Sequence, residues 1–374
     1  MNNPIHVLCV MSTLERGGAE SMVMSLLRNI DRRLVQFDFV KHTKQVGSFE
    51  EEIKELGGII YIAPRYKVYN YLQYVYWWGD FLDKHPEYII IHGHFFSISS
   101  IYFSIAQSRG RLTIGHSHCT KTRKEQVVNP IKHLMSNYLV SKIEDYSNYC
   151  MACSTEAGKW VFKKKPFIIL NNAIDADSFC ASNSIAGEIR NEFSLGNMFV
   201  LGNVSRFDLQ KNPYATLEVF RLVHRERNNS RLLWIGDGPM RLEIENKAKE
   251  LGIYDDIIFT GVRSDVNRLL QAMDAFIFPS FYEGLGIAAV EAQAAGVRTF
   301  CSDAVPKEAA VTNLCQFLPL DDLQLWANEI CKVPAAYEHP IMKEQIVNAG
   351  YDIHDTAKWL QGFYLSVVKN RIEQ

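Results

Sequence analysis

The chain of 374 residues is 47% hydrophobic and 22% charged, a composition that excludes a disordered, collagen-like or coiled-coil protein. At roughly 100–200 residues per domain, this length predicts two domains. The net charge of −2 argues against nucleic acid as the main partner, and no apolar run reaches the roughly 20 residues that a membrane-spanning helix needs.

The first half of the sequence alternates short apolar runs with segments of helical length. The apolar runs predict buried parallel strands at residues 6–11, 37–41, 59–62, 88–91, 112–116, 149–152 and 167–170. Helices are predicted between them at residues 19–29, 49–56, 71–84, 97–107, 131–143 and 155–162. Such alternation is typical of a doubly wound parallel sheet.

The alternation stops at Asn171-Asn172-Ala173-Ile174-Asp175 and then starts again. Strands are predicted at residues 198–204, 231–235, 256–260, 275–278 and 298–301, and helices at 214–227, 240–251, 266–272 and 285–295. We therefore predict an α/β protein with two Rossmann-like domains, residues 1–172 and 186–354, joined by a linker near 172–185. Ligands of such sheets bind at the carboxyl ends of the strands, so we expect a site in the cleft between the domains.

A glycine pair follows the first predicted strand. Gly17 and Gly18 permit a tight turn whose amides, together with the next helix N-terminus, can approach an anion or a sugar closely. The segment is not the dinucleotide fingerprint G-x-G-x-x-G, which argues against a nicotinamide cofactor. A plain strand-to-helix turn is the alternative interpretation.

Two cations follow the first strand of the second half. Arg206 ends that strand, and Lys211 lies five residues later, just before Pro213, a favourable residue for the first turn of a helix. Two cations on one loop suit a diphosphate, and solvated surface charges are the alternative. The next strand ends in Gly236-Asp237-Gly238-Pro239, again a glycine turn beside a helix start.

The segment from Glu283 to Glu291 is the richest in candidate site residues. A strand ends before it, glycines follow, and a helix predicted from about Leu285 would present free amides to phosphate oxygens. Glu291 lies within a run of small apolar residues, where a carboxylate is costly unless donors such as ribose hydroxyls reach it. A plain surface glutamate is the alternative.

Glu283 and Glu291, with seven residues between them, resemble the E-x7-E motif of family-4 retaining glycosyltransferases. The resemblance covers nearly the whole chain, because further motifs are similar to that family's: Gly17-Gly18-Ala19-Glu20, Asn171-Asn172-Ala173-Ile174-Asp175, Arg206 with Lys211, and Gly236-Asp237-Gly238-Pro239. Ala173 departs from the family, which often has Gly there, and this affects a linker turn. The resemblance implies a GT-B fold in which the C-terminal helix, residues 355–374, joins the first domain.

The resemblance also implies a reaction, the transfer of a sugar from a nucleotide sugar with retention at the anomeric carbon, without metal or cofactor. Arg206 and Lys211 would neutralise the donor diphosphate and the charge that develops on the leaving group. Glu291 would accept hydrogen bonds from the ribose, and Glu283 would contact the hydroxyls of the donor sugar.

Further donor contacts are implied by the same resemblance. Backbone groups of Gly236, Gly284, Leu285, Gly286 and Ile287 would line the donor site. Gly17 and Gly18 would let the first domain approach the donor phosphates and sugar. His118 matches the position where relatives place a catalytic histidine at the donor sugar.

Four histidines and one cysteine follow two neighbouring predicted strands: His92, His94, His116, His118 and Cys119. Zinc binding is one interpretation of such a cluster. Hydrogen bonding to a sugar is favoured over it, since the resembled family needs no metal. The pair Cys150 and Cys153 lacks a second pair, so we expect buried packing there. No signal-peptide pattern precedes the first strand, and the eight cysteines predict reduced thiols of a cytoplasmic protein.

The two halves differ in charge. Residues 1–171 carry 21 Lys+Arg and 15 Asp+Glu, a net +6, whereas residues 172–374 carry 19 and 27, a net −8. The first half also contains an aromatic segment at 66–81 and two basic clusters, at 121–124 and 163–165. These features favour contact with an anionic membrane or an acceptor with a lipid diphosphate. Helix packing is the alternative for the aromatic side chains, and drift for the charge asymmetry.

The segment His116-Ser117-His118 is similar to bacterial capsule and exopolysaccharide enzymes. We therefore predict a cytoplasmic retaining hexosyl- or N-acetylhexosaminyltransferase that uses a nucleoside-diphosphate sugar, with a UDP-sugar favoured. Its expected acceptor is a lipid-linked oligosaccharide at the inner face of the membrane. Two alternatives are a GT-B sugar-nucleotide 2-epimerase, which lacks this combination of Arg206, Lys211 and E-x7-E, and a catalytically silent sugar-nucleotide-binding protein.

Overall fold

The computed structural model describes residues 4–94, 98–118, 130–335 and 338–373, and the chain divides into two α/β units. Unit 1 comprises Met1–Ile174 and Gly350–Gln374, and unit 2 comprises Asp175–Ala349. Each unit is built around a parallel sheet, so the predicted fold class is confirmed. Within the described ranges, no helix combines the length and the apolarity needed to cross a membrane.

Unit 1 contains a seven-stranded sheet in the order β3-β2-β1-β4-β5-β6-β7, with parallel pairing between neighbouring strands. The strands are β1 (Ile5–Met11), β2 (Val35–Lys41), β3 (Ile60–Ile62), β4 (Tyr88–Gly93), β5 (Leu112–Ser117), β6 (Tyr149–Ala152) and β7 (Ile168–Ile169). The helices between them are α1 (Gly18–Asn29), α2 (Glu50–Glu55), α3 (Tyr71–Lys84), α4 (Ser99–Ser108), α5 (Pro130–Ser141) and α6 (Thr155–Val161).

The central strand β1 is apolar at nearly every position because both faces of the sheet are covered. Val7 and Cys9 belong to one apolar cluster, and Leu8 and Val10 belong to another. Successive strand residues point to opposite faces, so the two clusters are the two cores of a doubly wound unit. This is why the sequence shows a continuous apolar run here and not an alternating one.

Unit 2 contains a six-stranded parallel sheet in the order β10-β9-β8-β11-β12-β13. Its strands are β8 (Phe199–Val204), β9 (Ser230–Ile235), β10 (Ile257–Gly261), β11 (Ala275–Phe278), β12 (Arg298–Ser302) and β13 (Cys315–Leu318). Its helices are α7 (Asn183–Glu192), α8 (Pro213–Glu226), α9 (Arg241–Glu250), α10 (Val266–Leu270), α11 (Ile287–Ala294), α12 (Leu323–Ile330) and α13 (Lys343–Asn348).

Unit 2 differs from the prediction in several elements. The sequence analysis does not predict β13, α7, α12 or α13. It also starts a helix near Leu285, whereas α11 starts at Ile287, because Gly286 has a φ of 95° and lies outside the helical region.

The last helix, α14 (Ile353–Ile372), belongs to unit 1. It packs against α1, and its buried residues Leu360, Tyr364 and Val368 join the apolar cluster that contains Val7. Trp359, on the same helix, is 44% exposed. The C-terminus of the chain therefore completes one core of the N-terminal sheet.

Candidate active site

Both sheets reverse their strand order once, and the crevice at that point is where open parallel sheets bind ligands. In unit 2 the reversal lies between β8 and β11. The loop after β8 carries Arg206 and Lys211, and the segment after β11 carries Glu283. The topology therefore brings these three predicted site residues to the carboxyl ends of two adjacent strands.

Lys211 is positioned by a short capped turn. It ends a 3-10 turn, Leu209–Lys211, whose N-cap Asp208 accepts a hydrogen bond from the Lys211 amide at 3.3 Å. Asn212 follows in the left-handed region with a φ of 51° and caps α8, which begins at Pro213, one residue before the predicted start. Asn212 ends the turn, so Lys211 lies two residues before the first residue of the helix.

Lys211 and Glu283 form an ion pair at the carboxyl end of β11. The Lys211 Nζ donates to Glu283 Oε1 at 2.6 Å, and the two side chains are 19% and 7% exposed. The same Nζ lies 5.0 Å from the ring centroid of Phe278. Glu283 is expected to contact sugar hydroxyls, and in this structure one of its oxygens holds the lysine. A carboxylate this deeply buried is tolerated because it is paired.

Gln210 is a member of this cluster that sequence reasoning missed. Its side-chain Nε2 donates to the Tyr282 carbonyl at 3.0 Å, and its backbone carbonyl accepts from the Phe281 amide at 2.9 Å. These two bonds tie the Lys211 turn to the segment after β11. No sequence pattern indicates this contact, because Gln210 and Tyr282 are 72 residues apart in the chain.

Arg206 is less constrained than Lys211. Its side chain is 56% exposed, and among the described residues its ion-pair contact is with Asp208, at an N–O distance of 3.9 Å. That distance is too long for a hydrogen bond. The guanidinium therefore remains available to an anion that approaches the loop.

The glycine turn after β9 packs directly against the Arg206 loop. Gly236 has a φ of 136°, and a Cβ there would lie 2.0 Å from the Ser205 carbonyl oxygen. A Cβ on Gly238 would lie 2.6 Å from the Phe207 carbonyl oxygen. Contact between two backbones thus explains both glycines, and the predicted donor contact of Gly236 stays a prediction.

The start of α11 provides amide donors beside the ion pair. Gly286 is the N-cap, and the helix begins at Ile287, two residues after Leu285. The first amides of a helix have no partner within it and carry its positive dipole end. The predicted anion-binding segment, Gly284 to Ile287, therefore includes the loop, the cap and the first helical residue.

Glu291 lies inside α11 and is half-buried. Among the described residues its side chain makes no hydrogen bond or ion pair, and burial raises the pKa of its carboxyl to about 7. The structure therefore contains the feature that the sequence analysis predicts to be unfavourable, a buried carboxyl group within an apolar helix. Hydroxyl donors from outside the chain would remove that cost.

The glycine pair of unit 1 is located at the N-terminus of α1. Gly17 is the N-cap with a φ of −142°, and Gly18 is the first helical residue. Neither residue has a positive φ, so the turn does not require glycine's conformational freedom, and the predicted close approach to a ligand stays a prediction. A Cβ on Gly18 would meet none of the described atoms within 4 Å, so packing within the chain does not explain this glycine.

The predicted histidine cluster forms at the carboxyl ends of β4 and β5. His94 Nδ1 lies 2.9 Å from His118 Nε2, and His92 Nδ1 lies 2.6 Å from the Tyr364 hydroxyl. Burial lowers the pKa of His92 and of His118 to about 3, and it lowers those of His94 and His116 well below their usual value. The four rings are therefore neutral, in contrast to the charged site of unit 2.

The cysteines offer no metal site among the residues that the structure describes. Cys150 and Cys153 are buried and form no disulfide, as expected, and burial raises the pKa of Cys150 to about 11. Cys119 and the basic cluster at 121–124 lie outside the described residues.

The aromatic segment at 66–81 contains both buried and exposed side chains. Tyr74 and Trp78 are fully buried, whereas Tyr69, Leu72 and Tyr76 are 82%, 80% and 74% exposed. The lysines at 163–165 are also exposed. One part of the segment thus supports the core, and the other presents apolar area to the surroundings.

Residues 187–313 match the family model described as "Glycosyl transferases group 1", a segment that contains Arg206, Lys211, Glu283 and Glu291. The glycosyltransferase EpsF of Bacillus subtilis is 28% identical over 370 residues, 96% of each chain. CapH of Staphylococcus aureus, described as a capsular polysaccharide biosynthesis glycosyltransferase, is 25% identical over 97% of this chain and 99% of its own.

A solved structure has the same fold. The crystal structure of Anabaena Alr3699/HepE in complex with UDP and glucose superposes with a TM-score of 0.78 at 16% sequence identity. The match covers 96% of this chain and 99% of that chain.

Proposed function

We propose that this chain, which has the GT-B fold, is a group 1 glycosyltransferase that retains the anomeric configuration and uses a UDP-sugar as its donor. It transfers a hexosyl or N-acetylhexosaminyl group to an acceptor hydroxyl. The observation that carries the proposal is the convergence of Lys211, Glu283 and the α11 N-terminus at the carboxyl ends of adjacent strands. The UDP complex of HepE, which has the same fold, supports the choice of nucleotide.

In the proposed reaction, the bond between the anomeric carbon and the diphosphate oxygen breaks, and the departing UDP keeps the electron pair. Arg206 and Lys211 face the resulting negative charge together with the first amides of α11. Glu283 holds the Lys211 ammonium in place before the donor arrives. The acceptor oxygen forms the new bond on the same face of the sugar, and its proton passes to the departing diphosphate oxygen.

We assign the ribose of the donor to Glu291. Its carboxyl is half-buried and makes no hydrogen bond within the described chain. Ribose hydroxyls would donate to it and favour its ionised form, which burial disfavours. Binding of UDP and ionisation of Glu291 are therefore coupled.

We assign a hydrogen bond with the donor sugar to His118. Its Nε2 is engaged by His94, and its buried Nδ1 has no partner among the described residues. The low pKa keeps the ring neutral, so it can donate or accept a hydrogen bond but does not add charge. Gly17 and Gly18 would leave room for the donor at the start of α1.

The proposed acceptor is a lipid-linked oligosaccharide in the synthesis of a capsular or extracellular polysaccharide, and the enzyme would work as a peripheral protein on the inner membrane face. The description of CapH supports the biosynthetic context. The exposed Tyr69, Leu72 and Tyr76 and the exposed lysines 163–165 offer apolar and cationic contacts of the kind that anionic bilayers bind.

A panel of nucleotide sugars tests the donor assignment. UDP-sugars should raise the melting temperature in a concentration-dependent way, because a ligand that binds the native state stabilises it. GDP- and ADP-sugars should have smaller effects. Release of UDP, followed by a product with the anomeric configuration of the donor, supports the proposal. Binding without hydrolysis or transfer to any acceptor would instead indicate a silent binding protein, and inversion would contradict retention.

A further inference from the structure

We propose that His92, His94 and His116 form a binding site in unit 1 for a transition-metal ion that prefers imidazole ligands, with Zn²⁺ as the first candidate. This site lies on different strands and in a different unit from Lys211, Glu283 and Glu291. Its three ligands are therefore separate from the groups proposed to bind the diphosphate and the ribose, whereas His118, which is proposed to contact the donor sugar, contacts His94.

Strand geometry brings the three imidazoles together. His92 and Gly93 are the last two residues of β4. His94 lies two residues after His92, so the side chains of His92 and His94 point to the same side of the sheet. Gly93 pairs with Gly115 in β5, which places His116 beside His94. One ring nitrogen of each histidine lies within 4.8 Å of the others. Tetrahedral zinc with Zn–N bonds of 2.0–2.1 Å needs nitrogens about 3.4 Å apart, so modest ring rotations would complete the site.

The histidines have buried nitrogens that the described chain does not satisfy. His92, His94 and His116 are 1%, 7% and 3% exposed. His92 Nε2, His94 Nε2 and both nitrogens of His116 are buried without a partner among the described residues. A buried polar atom without a partner costs free energy, and native structures contain few of them. A metal ion would engage one nitrogen from each ring at once.

His92 and His94 each contact a neighbouring group through the ring nitrogen that would not bind the metal, as metal-bound histidines usually do. The other nitrogen of His92, Nδ1, contacts the Tyr364 hydroxyl at 2.6 Å, and that of His94 contacts His118 Nε2 at 2.9 Å. Such outer contacts fix the tautomer and the orientation of a ligating imidazole. Three imidazoles leave the fourth position for water or another ligand.

The ligand chemistry selects the class of metal. Three imidazoles without a carboxylate suit Zn²⁺, Cu²⁺ or Ni²⁺, whereas Mg²⁺ and Mn²⁺ prefer oxygen ligands. The ion would join β4 and β5 and, through Tyr364, the C-terminal helix α14. We therefore expect it to stabilise unit 1.

A zinc titration tests the proposal on the untagged 374-residue chain. After dialysis against a chelator, the protein should bind one Zn²⁺ per chain by elemental analysis, and its melting temperature should rise with free zinc. His116→Asn should lose both effects. His354→Asn, on the exposed side of α14, should keep both. No zinc uptake by the wild type, or full uptake by His116→Asn, would overturn the proposal, and a stack of neutral hydrogen-bonded histidines would then describe the cluster.

A second measurement needs no variant, in case His116→Asn does not fold. X-ray absorption at the zinc edge of the loaded wild-type protein should show three imidazole ligands with Zn–N distances of about 2.0–2.1 Å. A shell of oxygen or sulfur ligands would place the zinc elsewhere and overturn the proposal. Neither measurement depends on turnover, so the outcome is independent of the proposed glycosyl transfer.

Discussion

The carboxyl ends of the strands carry charged groups in unit 2 and neutral imidazoles in unit 1. After β8 and β11, Arg206 is 56% exposed and Lys211 is paired with Glu283. After β4 and β5, four histidines stack with ring centroids of successive neighbours 4.1 to 5.3 Å apart, and burial keeps their pKa values low. The same sheet architecture thus presents two different chemistries.

Under the proposed function, this difference suits the two units to different parts of a nucleotide sugar. A diphosphate needs fixed positive charge and amide donors, which unit 2 has in Arg206, Lys211 and α11. Neutral imidazoles suit hydroxyl groups or a metal ion. We therefore expect changes in unit 2 to affect nucleotide binding and leaving-group departure most strongly.

The largest effect is expected from Lys211→Ala. At saturating donor, turnover should fall by roughly 10²–10³-fold, the loss typical of removing one preorganised charge stabiliser, with a smaller change in donor affinity. Lys247→Ala, which removes an exposed lysine of α9, is the matched control and should keep normal turnover. Melting curves must accompany the kinetics, because the variant leaves the buried Glu283 unpaired. An unchanged rate in a folded variant would exclude Lys211 from the mechanism.

The next effect concerns the basic residues of unit 1. Reversing Lys163, Lys164 and Lys165 to Glu should reduce sedimentation with anionic vesicles by roughly tenfold or more, since each basic residue near a membrane surface contributes about 1 kcal/mol. Binding of the wild type should weaken with salt as the Debye length shrinks, and neutral vesicles should bind little. Turnover on a water-soluble acceptor analogue should stay nearly normal. If the wild type does not bind anionic vesicles at low salt, the charge difference between the two halves has no role in membrane binding.

Glu291→Ala should weaken UDP binding by roughly tenfold, the loss expected when a hydrogen bond to a charged group worth about 1.5 kcal/mol is removed. Calorimetric titration with UDP measures the change. Glu344→Ala, at an exposed position in α13, is the control and should bind UDP normally. Equal UDP affinity in Glu291→Ala and the wild type would refute the ribose assignment.

A smaller effect is expected in the pH dependence of stability. Burial raises the pKa of Glu291 from 4.5 to about 7, so between these values the folded chain holds a proton that the unfolded chain releases. The free energy of unfolding of the wild type, relative to Glu291→Gln, should therefore fall as pH rises from about 4.5 to about 7 and then level off. Denaturant titrations across this range measure it, and parallel pH profiles would contradict the raised pKa.

No effect is expected from the metals that usually accompany diphosphates. Because Arg206, Lys211 and the α11 amides supply the positive potential, adding Mg²⁺ or Mn²⁺ to chelator-treated enzyme should not raise turnover. Loss of activity in EDTA that either ion restores would contradict this. Restoration by Zn²⁺ alone would point to the histidine cluster of unit 1 and leave the donor account intact.

Much of the fold is predictable because strands that are buried on both faces give continuous apolar runs. The strands Tyr149–Ala152 and Ala275–Phe278 and the helix Tyr71–Lys84 have the predicted bounds. The strand Cys315–Leu318 is missed because only Leu318 in it is fully buried. Helix α7 is missed because Ile189 is its one buried residue, which leaves no apolar stripe.

The site is predictable at the level of loops but not of contacts. Because functional residues follow parallel strands, the sequence points to Arg206, Lys211 and Glu283. It does not reveal that Lys211 pairs with Glu283, 72 residues away, or that Tyr364 reaches His92 across 272 residues. Those pairs depend on strand order and on the packing of α14, which local patterns do not encode.

Amide hydrogen exchange with and without UDP tests the central claim most directly, since it reports which unit binds the nucleotide. At saturating UDP, we predict slower exchange in peptides that cover residues 205–213 and 284–291 of unit 2. Peptides from β4 and β5 should change less. Saturated binding without protection in either segment of unit 2 would contradict the assignment of the donor to Arg206, Lys211, α11 and Glu291.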